Sequence, residues 1–388
     1  MSNKKYSFMK YVLAFLAGFA ICAGFTMIMC FGVGGGPVMI SNEVHEHYQE
    51  LEERFSKVNS IYDTVMEGYY IEPNATDLED GMCRGLMSGL KDPYSAYMTE
   101  EEYTSWLESV TGEFEGIGIS FTTDENGNYV IVSVFKDSPA EKAGLKEGDF
   151  ILAADGKAYP NMDALSAAIK GKRGTKVTVT YEREGKAHDV DIIRDKIEET
   201  SVESKMLDEN IGYIAISSFA ENTAEEFRAQ LDDMESKKVN GLIIDLRNNG
   251  GGMVTTCQQI ADMLLGEGKI VSMENQAGEE SVLNSDAEKT ELPYVILVNE
   301  NSASASEILA GAVKDNTDNP LVGVTTFGKG IVQTSGQLDD GSALELTTMQ
   351  YFSPNGNKIH KKGVKPDYVV KNTGTEDKQL NKAIELLK

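Results

Sequence analysis

Histidine, cysteine and tryptophan are all scarce in this sequence: 388 residues hold four His, four Cys and one Trp. Scarce imidazole narrows both metal binding and serine activation. His45 and His47 form an H-x-H pair in a charged, helix-compatible stretch with no Cys or carboxylate at metal-ligand spacing, which reads as a solvated pair. His188 lies among short β-like runs and His360 in the lysine-rich Lys358–Lys362, so a Ser-His-Asp triad has little support. Cys22 and Cys30 fall in an apolar N-terminal run. That leaves Cys83 and Cys257, too few for a disulfide framework and read as buried thiols. Basic charge is also short: 36 Lys and Arg against 62 Asp and Glu give a formal net charge of −26. With no basic stripe to track phosphates, nucleic acid is excluded as a partner. No G-x-G-x-x-G and no Gly-Lys-Ser/Thr at P-loop spacing is present, which argues against nucleotide binding. Internal repeats are absent as well.

One long apolar run is there. Tyr11–Asn42 carry no charge, and Tyr11–Val33 is apolar enough for a helix crossing a ~30 Å hydrocarbon core. Lys4, Lys5 and Lys10 precede it and Glu43, Glu46, Glu50, Glu52 and Glu53 follow. The positive-inside rule therefore predicts a retained single-pass anchor with a cytoplasmic N-terminus and the bulk of the chain outside. A cleaved signal peptide is the competing reading, disfavoured by the length of the run and the lack of an A-x-A site.

Beyond the span, His45–Gly68 carries Leu51, Phe55, Val58, Ile61, Tyr62 and Val65 at spacings of three and four, a lead helix or dimerisation arm. Leu78–Leu90 and Glu100–Ser109 also read as helices, with the turn Asp92-Pro93-Tyr94-Ser95 between them. From Gly112 the pattern changes to short strands. Within them Ser138-Pro139-Ala140-Glu141 reads as N-cap, N1 proline and capping box, with Gly144 as the stop. The order over Gly112–Lys196, with Gly116-Ile117-Gly118-Ile119 and S-P-A-x-x-A-G-L-x-x-G-D-x-I, resembles a PDZ domain. That resemblance implies capture of a peptide C-terminal carboxylate by backbone N–H groups of Gly116, Ile117, Gly118 and Ile119, the peptide adding as a strand.

After Lys196 strands and helices alternate, which predicts an α/β fold with a largely parallel core and reactive groups at the C-terminal ends of strands. Two strand ends stand out. One is Asp245-Leu246-Arg247-Asn248-Asn249-Gly250-Gly251-Gly252, either a flexible turn or amides presented to an oxyanion. The other is Asn299–Glu307, where Ser302, Ser304 and Ser306 crowd a strand-to-helix corner that is either a cap or a nucleophile site. Lys329, between two glycines in T-F-G-K-G, is either a solvated lysine or a buried one with a lowered pKa, able to act as base. Gln333, four residues on, falls in phase on the same strand face and is placed to hold the amine by hydrogen bonding.

Together, S-A-S-A-S-E, F-G-K-G-x-V-Q, D-L-R-N-N-x-G-G, the Asp92–Ser95 turn, the PDZ-like segment and Gly363–Asp367 resemble the C-terminal processing (tail-specific) serine peptidases. The resemblance, which covers essentially everything after the span, implies a ClpP/crotonase-like α/β peptidase core over residues 197–388, with a PDZ domain at 112–196 and a helical region at 41–111; the hydropathy and charge pattern set an anchor at 11–33 and a cytoplasmic tail at 1–10. It implies Ser304 as nucleophile, Lys329 as general base, Gln333 as their polar support, and an oxyanion hole from the N–H groups of Ala305 and Gly251. Many relatives carry proline where this chain has Gly250, so the choice among the three glycines is open. Glu307 matches a family acidic residue whose role is left open. No metal or organic cofactor is implied. The expected partners are proteins with free, unstructured C-terminal tails, the bacterial cell membrane and a second copy of the chain, with the PDZ domain gating the site. A catalytically inactive PDZ adaptor is the alternative.

Overall fold

The computed structural model describes residues 41–388. The expected membrane span lies outside them, and among the described residues no helix is long and apolar enough to cross a membrane. The chain divides into two compact units after Gly81. In the first, α1 (Asn42–Gly68) starts at Ser41, whose side chain accepts from the Val44 N–H, and buries none of its residues. Then α2 (Ala75–Ser88) crosses into the second unit, carrying Cys83, which is exposed. The expectation of a buried thiol fails there: Met87 is the one residue this helix buries.

The second unit continues with β1 (Ala96–Met98) and α3 (Glu100–Thr111). A capping box at Thr99 and Glu102 starts α3, and Gly112 ends it in the left-handed region at φ 71°. Next β2 (Glu113–Gly116) leads into a five-stranded antiparallel sheet in the order β3-β4-β5-β6-β7: Ile119–Thr123, Tyr129–Val134, Phe150–Ala154, Lys176–Arg183 and Lys186–Ile193. Two helices pack on it, α4 (Pro139–Lys142) and α5 (Met162–Ile169), around a core of its own that includes Ile117, Ile131, Leu165 and Val179. The chain leaves along β8 (Asp195–Glu198), antiparallel to β2, so entry and exit form one two-stranded neck. Ser138 caps α4 by accepting from the Glu141 N–H, and Gly144 stops it at φ 85°. The Glu141 carboxylate reaches back to the N–H of Asp137 rather than of Ser138, so the capping box is open by one residue.

Residues 202–388, joined by β1, build two sheets. The first has the order β18-β15-β14-β11-β10-β9, where β9 is Val202–Leu207, β10 Ile211–Ile216, β11 Gly241–Asp245, β14 Tyr294–Val298, β15 Leu321–Gly323 and β18 Tyr368–Val369. All neighbours are parallel except β9 against β10. Every residue of β11 and β14 is buried, as their unbroken apolar runs require of parallel strands covered on both faces. Helices α6 (Thr223–Ser236), α7 (Val254–Leu264) and α8 (Ala305–Asn316) share one apolar cluster with one face, while α9 (Lys378–Leu386) covers part of the other. The second sheet, antiparallel, joins β1, β12 (Gly268–Asn275), β13 (Glu280–Ser285), β16 (Ile331–Gln337) and β17 (Ala343–Phe352). The loops after β10, β11 and β14 all emerge at one end of the parallel sheet, and there the two conspicuous strand ends meet.

Candidate active site

Ser304 precedes α8 with φ 57° and ψ −116°, backbone that a residue with a side chain rarely adopts. Its neighbours hold the corner in this shape. Ser302 and Ser306 are fully buried; their hydroxyls donate to the Leu246 carbonyl at 2.8 Å and the Asn249 carbonyl at 3.0 Å, stitching the corner to the loop after β11. Ser304 alone of the three is partly exposed. It lines a cleft of about 460 Å³ together with Gly250, Gly252, Met253, Ile308, Lys329, Gln333 and Glu345, and Trp106 of α3 also reaches it.

Lys329 sits in the loop before β16, and Glu307 explains how it comes to the same cleft. The Glu307 side chain is fully buried in the first turn of α8. One carboxylate oxygen accepts from the Thr326 hydroxyl at 2.5 Å and the Gly328 N–H at 2.7 Å; the other accepts from the Lys329 N–H at 2.8 Å and the Ser304 N–H at 3.1 Å. Burial pushes this carboxyl up from its ordinary value, against the pull of those donors. Tyr351 makes a second clasp, its hydroxyl directed at the carbonyls of Ser304 (3.0 Å) and Lys329 (2.5 Å). Burial, then the charge of Glu307, holds the phenol far above its usual range, so it stays a neutral donor. The main chains of Ser304 and Lys329 are thus fixed twice, once through their amides and once through their carbonyls.

Burial also lowers the Lys329 pKa, opposed by the charges of Glu345 and Asp92. This favours the neutral amine that a base requires. Gln333 lines the cleft, but its amide nitrogen donates to Thr347 of β17 at 3.1 Å. The in-phase argument does not apply, because β16 starts only at Ile331 and carries a register shift between Val332 and Gln333. A bulge resets which face a strand residue occupies.

The oxyanion reading needs one correction. The Gly251 N–H donates to Asn249 Oδ1 at 2.8 Å, an Asx turn that occupies the amide expected to be free. Gly251 is a glycine for another reason: at φ 107°, a Cβ there would stand 2.7 Å from that of Ser304. Gly252 instead bridges Phe219 in parallel fashion, Phe219 N–H to Gly251 O and Met253 N–H to Phe219 O, which turns the N–H of Gly252 away from Phe219. Ala305 opens α8, and its N–H is one of the helix's orphan donors. Asn249 is wholly buried, its amide nitrogen donating to Ile216 O at 2.9 Å and its carbonyl accepting from the Ala303 N–H. Sequence reading assigned no role to Asn249, Tyr351 or Thr326; adjacency to the glycine run was the only signal, and only for Asn249. Beneath the corner Cys257 donates to the Ala305 carbonyl, its thiol pushed up to about 12 by burial, so it is no nucleophile.

In the segment at 116–119, Gly116 is buried, as are the next two residues, Ile117 and Gly118. The carbonyls of Ile117 and Gly118 accept from the N–H groups of Ala140 (2.8 Å) and Phe135 (3.0 Å), which pins the loop against α4.

Family comparisons follow the same division. Residues 210–370 match the model for peptidase family S41, 116–193 the model for a PDZ domain, and 36–102 that for the activating protease CtpB N-terminal domain. The chain is 41% identical over 320 residues to the carboxy-terminal processing protease CtpA of Bacillus subtilis, covering 81% of this chain and 68% of that one. It is 36% identical over 331 residues to CtpB of the same organism, covering 83% and 69%. Among solved structures, a putative S41 protease from Bacteroides fragilis shares the fold with a TM-score of 0.53 at 16% identity, over 84% of this chain and 96% of that one.

Proposed function

Since the chain belongs to the PDZ-containing S41 peptidases, the carboxy-terminal processing proteases, we propose that it is a serine endopeptidase in which Ser304 attacks the peptide carbonyl and Lys329 takes and returns the proton. The observation that carries this reading is the shared cleft. A strained, partly exposed serine and a half-buried lysine line it, and one carboxylate fastens the backbones of both. An acyl-enzyme forms on Ser304 Oγ as the amine leaves with the proton from Lys329, and water then releases the new C-terminus. The N–H groups of Ala305 and Gly252 receive the oxyanion, and Gln333 supports the cleft wall. The substrate is an unstructured C-terminal tail, held at its carboxylate by the Gly116–Ile119 loop, with the PDZ domain gating access. The uncharged run before Glu43 anchors the protein in the cell membrane with the peptidase outside, and α1 pairs with that of a second copy.

The test uses the full chain in detergent. Ser304→Ala and Lys329→Ala should each abolish degradation of an unfolded protein, and a serine-directed phosphonate should label Ser304. Activity persisting in either variant rejects the dyad. The rate should climb from neutral to mildly alkaline pH as Lys329 loses its proton; a profile flat down to about pH 5 would count against a lysine base.

A further inference from the structure

Lys329 has a side-chain partner that the proposed chemistry does not use. Its ammonium lies over the ring of Tyr94, 4.8 Å from the centroid. Tyr94 comes from far upstream, in the Asp92-Pro93-Tyr94-Ser95 turn before β1, and the turn is firmly held. Asp92 accepts from the Tyr94 N–H at 3.1 Å and the Ser95 hydroxyl at 2.6 Å, while Ser95 Oγ accepts from the Thr347 N–H of β17 at 3.0 Å. Pairing of β1 with β17 sets Ala96 opposite Glu345, which lines the catalytic cleft beside Lys329. Gln333 is turned to Thr347, so the amide expected to steady the amine is engaged elsewhere.

We propose that Tyr94 is a positioning residue for the base: its ring face, acting together with the carboxylates of Asp92 and Glu345, forms a seat that stabilises Lys329 as an ammonium and so governs how much free amine is available. The proposal rests on Lys329 being the base. An aromatic face attracts the cation through its quadrupole and gains nothing comparable from the neutral amine. Two carboxylates act in the same direction, and burial acts against all three. Burial raises the Glu345 carboxyl, opposed by the charge of Lys329, so the two groups hold each other ionised; the remaining ionisable groups nearby leave this balance intact. Glu307 accepts from the Lys329 backbone rather than its side chain, and Tyr351 stays neutral. Burial raises the Asp92 carboxyl, but hydrogen bonds from Ser95, Thr347 and the Tyr94 N–H hold it below its ordinary value, and burial together with Lys361 and Lys358 holds the His360 pKa down, so Asp92 stays ionised at neutral pH.

Three variants of the full chain test the seat: Tyr94→Phe, Tyr94→Leu and Glu345→Gln. Lys329 is titrated directly by NMR of 13Cε-labelled lysine in a Ser304→Ala background, its resonance assigned by its loss in Lys329→Ala. The pH dependence of kcat/KM is measured with Ser304 intact. Tyr94→Leu and Glu345→Gln should each lower the Lys329 pKa by about half to one unit and move the acid limb of the rate profile down equally, while Tyr94→Phe keeps both at wild-type values. An unchanged or raised Lys329 pKa in a folded Tyr94→Leu protein overturns the proposal. Should that variant fail to fold, the same result in Glu345→Gln overturns it, since Glu345 lies on a different element. Proteolysis surviving Lys329→Ala would remove the dyad itself, a result separate from the titration.

Discussion

At the scale of single residues, the site stores strain where the chemistry is proposed. Ser304 occupies backbone that costs about 1–3 kcal/mol for a residue with a Cβ. Replacing it by glycine relieves that strain, less about 0.5–1 kcal/mol for the more flexible unfolded chain. Ser304→Gly should therefore be more stable than Ser304→Ala by about 1 kcal/mol in urea unfolding, with both variants inactive; equal stabilities would show that the corner is relaxed. Residue identity was legible in the sequence to the extent that local pattern carries it. Ser304 and Lys329 lie 25 residues apart between recognisable flanks, and the fold brings both to one cleft. The choice among three adjacent glycines was not legible, because it depends on which amide the Asn249 side chain takes. Nor was the role of Glu307: an acid at N3 reads as an ordinary cap until Thr326 and the loop before β16 are seen folded against it.

At the scale of elements, Arg247 locks α9 to the sheet. Its guanidinium, only 14% exposed, bonds Asp245 at 2.6 Å and Asp377, the N-cap of α9, at 2.8 Å. Arg247→Met leaves two carboxylates without their cation, one of them buried, and should cost about 3 kcal/mol of unfolding free energy, with limited proteolysis cutting first near Asp377. Burial works against ionisation of Asp377, but Arg247, the Leu380 N–H and Asn372 more than offset it and hold the carboxyl below its ordinary 3.8. A depressed carboxyl stabilises the fold fully above that value and loses the contribution as acid protonates it. The same proteolytic site should therefore open in the wild-type protein as pH falls below about 3.8 and stay closed at pH 6. Element type was read well where apolar runs are continuous, as in β11 and β14, or where caps are explicit, as in α4. The β12–β13 hairpin escaped notice because Ser, Glu and Asn break its alternation, and pairing specifies its strands more than their own composition does: β12 lies against β17, and β13 against β12.

At the scale of the whole molecule, α1 stands out among the described residues as a long helix that buries none of its side chains. Val44, Tyr48, Leu51, Phe55, Val58, Tyr62 and Val65 alternate spacings of four and three, the a/d seam of a two-stranded coiled coil, yet none is buried. Phe55 is 44% exposed and Tyr48 62%. If the seam belongs to a second copy, Phe55→Glu with Val58→Glu should convert a dimer to a monomer in sedimentation, while each peptidase cleft keeps its hydrolysis of short peptides. A wild-type protein that sediments as a monomer at micromolar concentration would remove the dimer from the proposal. The PDZ segment is legible for a different reason: its turns and caps repeat a dense local pattern, and its core closes on its own.

The carboxylate of Glu307 has a consequence for how the site comes apart. The amides of Ser304, Gly328 and Lys329 all end on that one group, so none can meet solvent by fraying alone. Their hydrogens should exchange with deuterium at a common rate, set by a single opening of the α8 start from the loop before β16. The proposed nucleophile and the proposed base share that opening, so one event should displace both together, and hydrogen exchange at Ser304 out of step with that at Lys329 would refute it.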